Sequence, residues 1–279
     1  MSNSQTVAID KSGQKVRQMF AEIAPKYDLM NHLLSMNVDR WWRWRTVAKL
    51  APQSDWQVLD VCTGTGDLAL ALLNKMQSKR NGAAGRAETI PRMNSDEPFG
   101  QRILSSQEAE QQSWQGVHVV ASDFCRPMLE IGQKKAQQQR ATHLQFVEAD
   151  SLQLPFPNEQ FDLVTVAFGL RNVADTLKGL KEMTRVTRTG GQVGVLEFTM
   201  PRIWPLSALY RFYFLRVLPK IGQWFAKNRS DAYSYLPESV GQFPQYEELA
   251  SLMQEAGLKD AKFYPMTFGL ATLYVATKA

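Results

Sequence analysis

VLDVCTGTGDLAL (58–70) combines an apolar run, an acid, a glycine turn and the start of an apolar helix. The run VLDV predicts a buried strand with Asp60 at its end. Gly64 and Gly66 lie in the turn, where glycine lets the backbone pass close to a ligand. The helix that begins at Asp67 offers free N–H groups to that ligand. This unit is typical of many nucleotide sites, so alone it is a weak signal.

Two features of the turn argue against a dinucleotide as its ligand, for which the pattern G-x-G-x-x-G is typical. Cys62 and Leu68 occupy the outer glycine positions. Asp67 places an acid at the helix start, where a pyrophosphate would be repelled. A cationic or zwitterionic head suits the turn better, and S-adenosylmethionine carries both an ammonium and a sulfonium.

Strand and helix patterns alternate downstream of the turn, which predicts a parallel sheet with helices on both faces. Two further runs near the C-terminus, DAKFYPM and LATLYVAT, are close enough to form an antiparallel pair. The five strands predicted before them are 56–61, 117–122, 144–149, 162–168 and 190–198.

Acids follow the second and third of these strands. Asp123 is placed to bind the ribose hydroxyls of an adenosine, but it comes 57 residues after Gly66 against a usual ~20. Residues 77–115 are rich in Gln, Ser, Gly and charge, and their removal restores that spacing. We therefore expect a disordered insertion at 77–115. Asp150, with Ser151 beside it, is placed for an adenine contact or, alternatively, only caps a turn.

The region before the first strand reads as helical. Apolar residues at helical spacing begin after Lys15, Pro25 ends that helix, and Asp39 is predicted to cap a helix over RWWRWRTVAKL. We expect an N-terminal helical cap over 1–52 and one α/β domain over 53–279.

The positive charge is concentrated in one segment. The chain has a formal net charge of +5, and 201–230 holds six Lys or Arg, no acid and many aromatics. We expect an aromatic, basic lid at 201–240 that covers a substrate or contacts a membrane, with an ordinary solvated lid as the alternative. The chain has no apolar run of spanning length and no secretory signal, so we expect a cytoplasmic protein, at the membrane surface if the lid contacts a membrane.

Outside the insertion, the chain resembles the ubiquinone/menaquinone biosynthesis C-methyltransferases over about 15–279. The resemblance rests on FAEIAPKYDLMNHLLS (20–35), the stretch 58–70, ADSLQLPFPNEQFD (149–162), FGLRNV (168–173) and RVTRTGGQVGVLEFT (185–199), and more loosely on SDAYSYLPESV (230–240). It implies a class I S-adenosylmethionine-dependent fold, Rossmann-like, with a mostly parallel seven-stranded sheet. It also implies methylation of a ring carbon on a prenylated quinol, and we favour a naphthoquinol of the demethylmenaquinol or demethylphylloquinol type over a benzoquinol.

The resemblance also implies roles for particular residues. Arg171 and Asn172 would face the quinol, and Arg171 would stabilise the developing quinolate, unless it only pairs with a carboxylate at a helix end. The implied cofactor-binding residues are Tyr27, Asn31, Asp60, Thr63, Gly64, Thr65, Gly66, Asp123, Asp150 and Ser151. The family's His is replaced by Asp39, and Thr189 and Thr199 depart mildly from its pattern. Ala167 stands where some members have Ser, so a hydroxyl contact to the cofactor is lost there.

Other functions are less well supported. A nucleic-acid methyltransferase is disfavoured because FGLR stands where Asn/Asp-Pro-Pro-Tyr would follow the fourth strand. Two cysteines are too few for a Cys-rich metal site, and no metal is expected. The closest alternative among enzymes is a small-molecule methyltransferase of another substrate class. The others are a cofactor-binding but inactive subunit of a quinone-biosynthesis assembly and, more remotely, an NAD-dependent dehydrogenase. The pattern does not predict an oligomeric state.

Overall fold

The computed structural model describes residues 13–28, 35, 37–84, 102–204, 207 and 232–279. Its helices are α1 Gly13–Ile23, α2 Val38–Leu50, α3 Asp67–Ala84, α4 Ser106–Gln111, α5 Arg126–Gln138, α6 Thr176–Val186, α7 Ala232–Gln242 and α8 Glu247–Glu255. Its strands are β1 Val58–Val61, β2 Ile103–Leu104, β3 Val119–Asp123, β4 Leu144–Glu148, β5 Phe161–Ala167, β6 Thr187–Phe198, β7 Leu258–Met266 and β8 Ala271–Lys278. Three 3₁₀ turns lie at Ala24–Lys26, Leu170–Asn172 and Thr267–Gly269.

All eight strands form one sheet, in the order β2-β4-β3-β1-β5-β6-β8-β7. The strands from β2 to β6 are parallel, and β8 runs antiparallel between β6 and β7. The chain order reverses at β1, whose neighbours are β3 and β5. A reversal of this kind opens a crevice beyond the carboxyl ends of the strands, which is where ligands bind in open α/β sheets.

The core lies on both faces of this sheet. Val58 and Leu59 are fully buried, since a central parallel strand is covered by helices on each side. On one face α3 packs its apolar residues, among them Leu72 and Leu73, against the sheet. On the other face Leu180 and Met183 of α6 do the same, and the Asp175 side chain caps α6 by accepting from Lys178 N at 2.9 Å.

The seven predicted strands, the parallel sheet and the antiparallel C-terminal pair are confirmed. The sheet has an eighth strand, however, because β2 pairs with β4 at its edge. This strand comes from the segment predicted to be disordered. That prediction is wrong at both ends of 77–115, where α3 continues to Ala84 and where β2 and α4 follow. Residues 85–101 lie outside the described residues.

Two other predictions concern the cap of α2 and the lid. The cap position of α2 is Asn37 and not Asp39. Asp39 lies buried in the first turn, accepts from Ser35 Oγ at 2.6 Å and pairs with Arg43 at 2.7 Å. Most of the predicted lid, 205–206 and 208–231, lies outside the described residues. Within the described part, no helix is both long and apolar enough to cross a membrane.

Candidate active site

A pocket opens at the carboxyl edge of the sheet, where β1, β3, β4 and β5 end side by side. It contains about 880 Å³ of empty space, part of it open to solvent. The predicted site residues that line it are Tyr27, Thr63, Gly64, Asp123, Asp150, Ser151 and Asn172. Apolar side chains complete the wall, among them Phe124, Met128, Leu152 and Phe168. The structure therefore places predicted cofactor-binding residues in one cavity with Asn172, which was predicted to face the quinol.

The glycine turn is held from two sides by the acids that end the strands. Gly64 and Gly66 have positive φ angles, 57° and 78°, so the turn favours glycine. The Gly64 N–H donates to Asp123 Oδ2 at 2.9 Å. Beneath the turn, the carboxylate of Asp60 accepts from the hydroxyls of Thr63 at 2.6 Å and Thr165 at 2.7 Å. Asp60 is thus a support of the turn and is absent from the pocket wall.

Both acids are strongly desolvated. Burial raises the pKa of Asp60 to about 6, against the opposing hydrogen bonds from Thr63 and Thr165. Burial likewise raises the pKa of Asp123 to about 6, although Asp123 also accepts from Cys125 N at 2.8 Å. Two buried carboxylates beside one cavity favour a ligand that brings positive charge and hydroxyl donors.

Two residues of the pocket wall have a strained backbone that the sequence did not predict. Cys62 and Phe168 directly follow β1 and β5, and each has a positive φ, 51° and 56°. Neither is glycine, and such strain concentrates at functional sites. The two loops touch so closely that a Cβ on Gly169 would lie 2.5 Å from Cys62 Cβ. No polarity or charge in the sequence marks either position.

The loop after β4 supplies Asp150 and Ser151. Asp150 Oδ1 accepts from Leu152 N at 2.9 Å, so Asp150 does cap a turn while also lining the pocket. Ser151 lies beside the Cys62 thiol and lowers its pKa, but burial has the larger effect and raises it. Neither of the two readings of Asp150 excludes the other.

An N-terminal segment closes one side of the pocket. Tyr27 approaches the turn, since a Cβ on Gly64 would lie 3.9 Å from its ring. Next to it, Asp28 accepts from the hydroxyl of Thr65 at 2.6 Å and pairs with Lys135 at 2.5 Å. Lys135 also binds Asp67 at 2.7 Å. Thr65 is therefore buried in a latch between segment and turn, and neither it nor Gly66 is among the lining residues; Asn31 lies outside the described residues.

Arg171 lies behind the pocket wall. It is 6% exposed and pairs with the fully buried Glu197 of β6, with 2.9 Å between Nη1 and Oε2. The same Nη1 donates to the Phe168 carbonyl. The carboxylate partner that the alternative anticipated is thus present, but it belongs to a strand and not to a helix end. Asn172, the next residue, lines the pocket itself.

These residues fit S-adenosylmethionine. Asp123 ends the strand next to the turn, where the ribose hydroxyls could donate to it, and Phe124 and Leu152 offer apolar surfaces beside it. In the part of the chain that the structure describes, no three His, Cys, Asp or Glu side chains are grouped as metal ligands. The fold and the pocket together define a class I S-adenosylmethionine-dependent methyltransferase.

Comparisons with known proteins narrow this class. The model of the ubiE/COQ5 methyltransferase family matches residues 8–278. A ubiquinone/menaquinone biosynthesis C-methyltransferase from Geobacter sp. (strain M21) is 38% identical over 272 residues, which cover 97% of this chain and 99% of that one. A demethylmenaquinone methyltransferase from Deinococcus radiodurans is 40% identical over 266 residues, covering 95% and 93%. The chain belongs to the ubiE/COQ5 methyltransferase family.

A solved structure supports the fold independently of close sequence similarity. An S-adenosylmethionine-dependent methyltransferase from Thermotoga maritima superposes with a TM-score of 0.56 at 16% identity. The match covers 95% of this chain and all of the other. Family and fold therefore agree that this protein is an S-adenosylmethionine-dependent methyltransferase.

Proposed function

We propose that the protein methylates a ring carbon of a demethylated prenyl-naphthoquinol of the demethylmenaquinol type, in quinone biosynthesis. The observation that carries this proposal is the single pocket that joins Asp123, next to the glycine turn, with Asn172 in the FGLRN segment. A cofactor on Asp123 and a quinol at Asn172 would share one cavity, as a direct transfer requires. The demethylmenaquinone methyltransferase of Deinococcus radiodurans supports the choice of ring.

The chemistry needs an activated ring and an aligned methyl group. S-adenosylmethionine, when bound, supplies an electrophilic methyl on its sulfonium. A quinol hydroxyl that loses its proton makes the neighbouring ring carbon nucleophilic. The bond between sulfur and methyl breaks, a bond between methyl and ring carbon forms, the ring carbon releases its proton, and the quinol oxygen takes up a proton again. The net reaction yields one proton besides the methylated quinol and S-adenosylhomocysteine.

The residues divide between the two reactants in this proposal. Asp123 holds the ribose, and Asp150 and Ser151 flank the adenine. Tyr27 and Phe20, which line the pocket from the N-terminal side, keep water from it. Arg171 stabilises the negative charge that develops on the quinol oxygen, as cationic donors do at oxyanions.

The direct test is methyl transfer to a panel of reduced quinones. Purified protein is supplied with labelled S-adenosylmethionine and with demethylated naphthoquinols and benzoquinols of matched prenyl length. We expect faster methylation of the naphthoquinols, and loss of deuterium from a substrate deuterated at the ring carbon. Binding of S-adenosylhomocysteine without transfer to any quinol would instead favour an inactive subunit. Faster transfer to the benzoquinols would overturn the choice of ring.

We also propose that the protein meets its substrate at a membrane surface. One face of α2 exposes Arg40, Arg45 and Lys49, together with Trp41 and Trp44, which are 44% and 60% exposed. Exposed tryptophans among cations suit the interface of an anionic bilayer. No acid of α2 is exposed, since its one acid, Asp39, is buried.

Vesicle flotation tests this contact. The protein is expected to float with phosphatidylglycerol vesicles more than with neutral phosphatidylcholine vesicles. The double variant Trp41→Ser/Trp44→Ser should lose binding several-fold, because it removes the two exposed rings and leaves the charges. Equal flotation of the variant and the parent protein would contradict this surface as the contact.

A further inference from the structure

Three buried polar atoms near the pocket have no hydrogen-bond partner among the described residues. They are Arg171 Nε, Asn172 Oδ1 and Tyr235 Oη. Leaving such an atom unpaired is costly, so native proteins rarely do it. The cluster therefore calls for a partner that binds there.

The three atoms belong to elements that touch. Helix α7, which carries Tyr235, packs against the 3₁₀ turn Leu170–Asn172. The charges of Arg171 and Glu197 both reach the Tyr235 phenol: burial raises its pKa, Arg171 lowers it and Glu197 raises it. The phenol is therefore protonated at neutral pH and can donate. Asn172 connects this cluster to the cofactor pocket, because it lines that pocket beside Phe168 and Gly169.

Glu197 fixes the direction in which Arg171 points. Its carboxylate accepts from Arg171 N at 3.2 Å, from Arg171 Nη1 at 2.9 Å and from Phe198 N at 3.1 Å. With Nη1 committed to Glu197 and the Phe168 carbonyl, the guanidinium cannot turn freely. A fully buried ion pair contributes little net stability, so orientation of the guanidinium is the better account of Glu197.

The donor set matches one oxygen of a hydroquinone. A neutral ring hydroxyl can donate to Asn172 Oδ1 and accept from Arg171 Nε–H and Tyr235 O–H. After it loses its proton, the oxygen keeps both donors. We propose that Tyr235, Arg171 and Asn172 together hold one ring oxygen of the quinol, with Glu197 as the positioning residue of Arg171. This inference rests on the proposed function, to which it adds Tyr235 and Glu197.

Tyr235→Phe is the first test. Removal of one hydrogen bond to the ring oxygen should raise the KM for the quinol about tenfold, with the affinity for S-adenosylhomocysteine unchanged. The Tm of the unliganded protein should stay or rise, because the variant deletes an unpaired hydroxyl. The matched control is Tyr246→Phe, whose hydroxyl does have a partner, Met200 O at 2.8 Å. This control should lower the Tm and leave the KM for the quinol unchanged.

Each result for Tyr235→Phe decides the point. An unchanged KM, or a Tm that falls as in the control, would mean that the hydroxyl has a structural partner, and the inference would be overturned. Quinol methylation by the parent protein is measured in parallel. If the parent methylates no quinol, the proposed function is overturned, and so is the assignment of a quinol oxygen to this cluster. If the parent methylates quinols and Tyr235→Phe has the same KM for the quinol, the proposed function stands and only this inference is overturned.

The positioning role of Glu197 is tested against Arg171. Glu197→Gln should lower kcat at least tenfold, but it also leaves a buried charge unpaired and could unfold the protein. The double variant Arg171→Met/Glu197→Gln has no unpaired charge. A positioning residue acts only through the group it holds, so the double variant should have the same kcat as Arg171→Met alone. Additive losses of kcat would overturn the role.

Discussion

At the cofactor end of the pocket, beside the glycine turn, the carboxylates already have hydrogen-bond donors, whereas at the other end, around the turn Leu170–Asn172, three polar atoms have none among the described residues. Asp123 accepts from two backbone N–H groups, and Asp60 accepts from two threonine hydroxyls. Arg171, Asn172 and Tyr235 each keep a polar atom without a partner among the described residues. The carboxylates of the cofactor end are thus hydrogen-bonded within the chain, whereas the three polar atoms of the other end are not.

This difference has a physical consequence for how the two reactants bind. A preorganised site binds without reorganising, so little of the binding energy is lost in ordering it. An incomplete site gains more from its ligand, because unpaired groups become paired at the moment of binding. We expect variants at the cofactor end to change cofactor affinity and variants at the other end to change quinol kinetics. The three variants that follow test the cofactor end of this contrast.

The largest expected effect is that of Asp123→Ala. It removes the acceptor for the ribose hydroxyls, the hydrogen bond from Gly64 N that holds the turn, and the hydrogen bond from Cys125 N. Because hydrogen bonds to charged groups contribute ~1.5–3 kcal/mol each, the affinity for S-adenosylhomocysteine should fall at least about 100-fold. Titration calorimetry measures this loss. The exposed Asp55, changed to Ala, serves as control, and retention of tight binding by Asp123→Ala would remove Asp123 from the cofactor site.

Lys135→Met should have an intermediate effect. Lys135 binds Asp28 and Asp67 and also donates to Thr65 Oγ1 at 2.9 Å. Without it, two carboxylates face each other across the latch and the segment with Tyr27 loosens over the turn. Release of S-adenosylhomocysteine should accelerate about tenfold, and stopped-flow fluorescence would measure it. Lys134→Met, at an exposed neighbouring position on the same helix, is the matched control; equal release rates in the two variants would refute the latch.

The contrast also explains which parts of the molecule were predictable. Strands of the parallel sheet are buried on both faces and end in acids, so their apolar runs identify β1 and β3, and Asp123 with them, despite the insertion. The direction in which a side chain of the turn points was not predictable in this way. Thr65 was expected to contact the cofactor, but its side chain faces Asp28 and Lys135, and no pattern in TGTG distinguishes the two directions.

Contacts between distant elements account for the rest. Arg171 and Glu197 are 26 positions apart in the sequence and meet only because β5 and β6 are neighbours. Lys135 reaches Asp28 across more than a hundred residues. Tyr235 lies in a segment that the resemblance included but for which it implied no role. Such pairs depend on tertiary packing, which neither periodicity nor a glycine turn encodes.

The smallest and most informative effect is expected from Asp60→Asn. The pKa of Asp60 rises from 3.8 to about 6 on burial, so ionisation of this group opposes folding. Its favourable contribution is complete below pH 3.8 and disappears as the pH rises through 6. Asn is neutral throughout, and both threonine hydroxyls can turn to suit it. The variant should therefore be more stable than the parent at pH 7, by the order of 2 kcal/mol or a few degrees in Tm.

The pH dependence separates charge from packing in this variant. The difference in Tm between Asp60→Asn and the parent should shrink from pH 7 to pH 4 and vanish below it, because the parent carboxyl is then neutral too. Differential scanning fluorimetry across this range, with the exposed Glu110→Gln as control, measures the difference. A Tm gap that is constant with pH, or a variant that is less stable at pH 7, would show that the buried charge of Asp60 is fully compensated by Thr63 and Thr165. In that case the carboxylates of the cofactor end would be buried without loss of stability. The two ends of the pocket would then differ in the stability cost of their buried polar groups as well as in their hydrogen bonding.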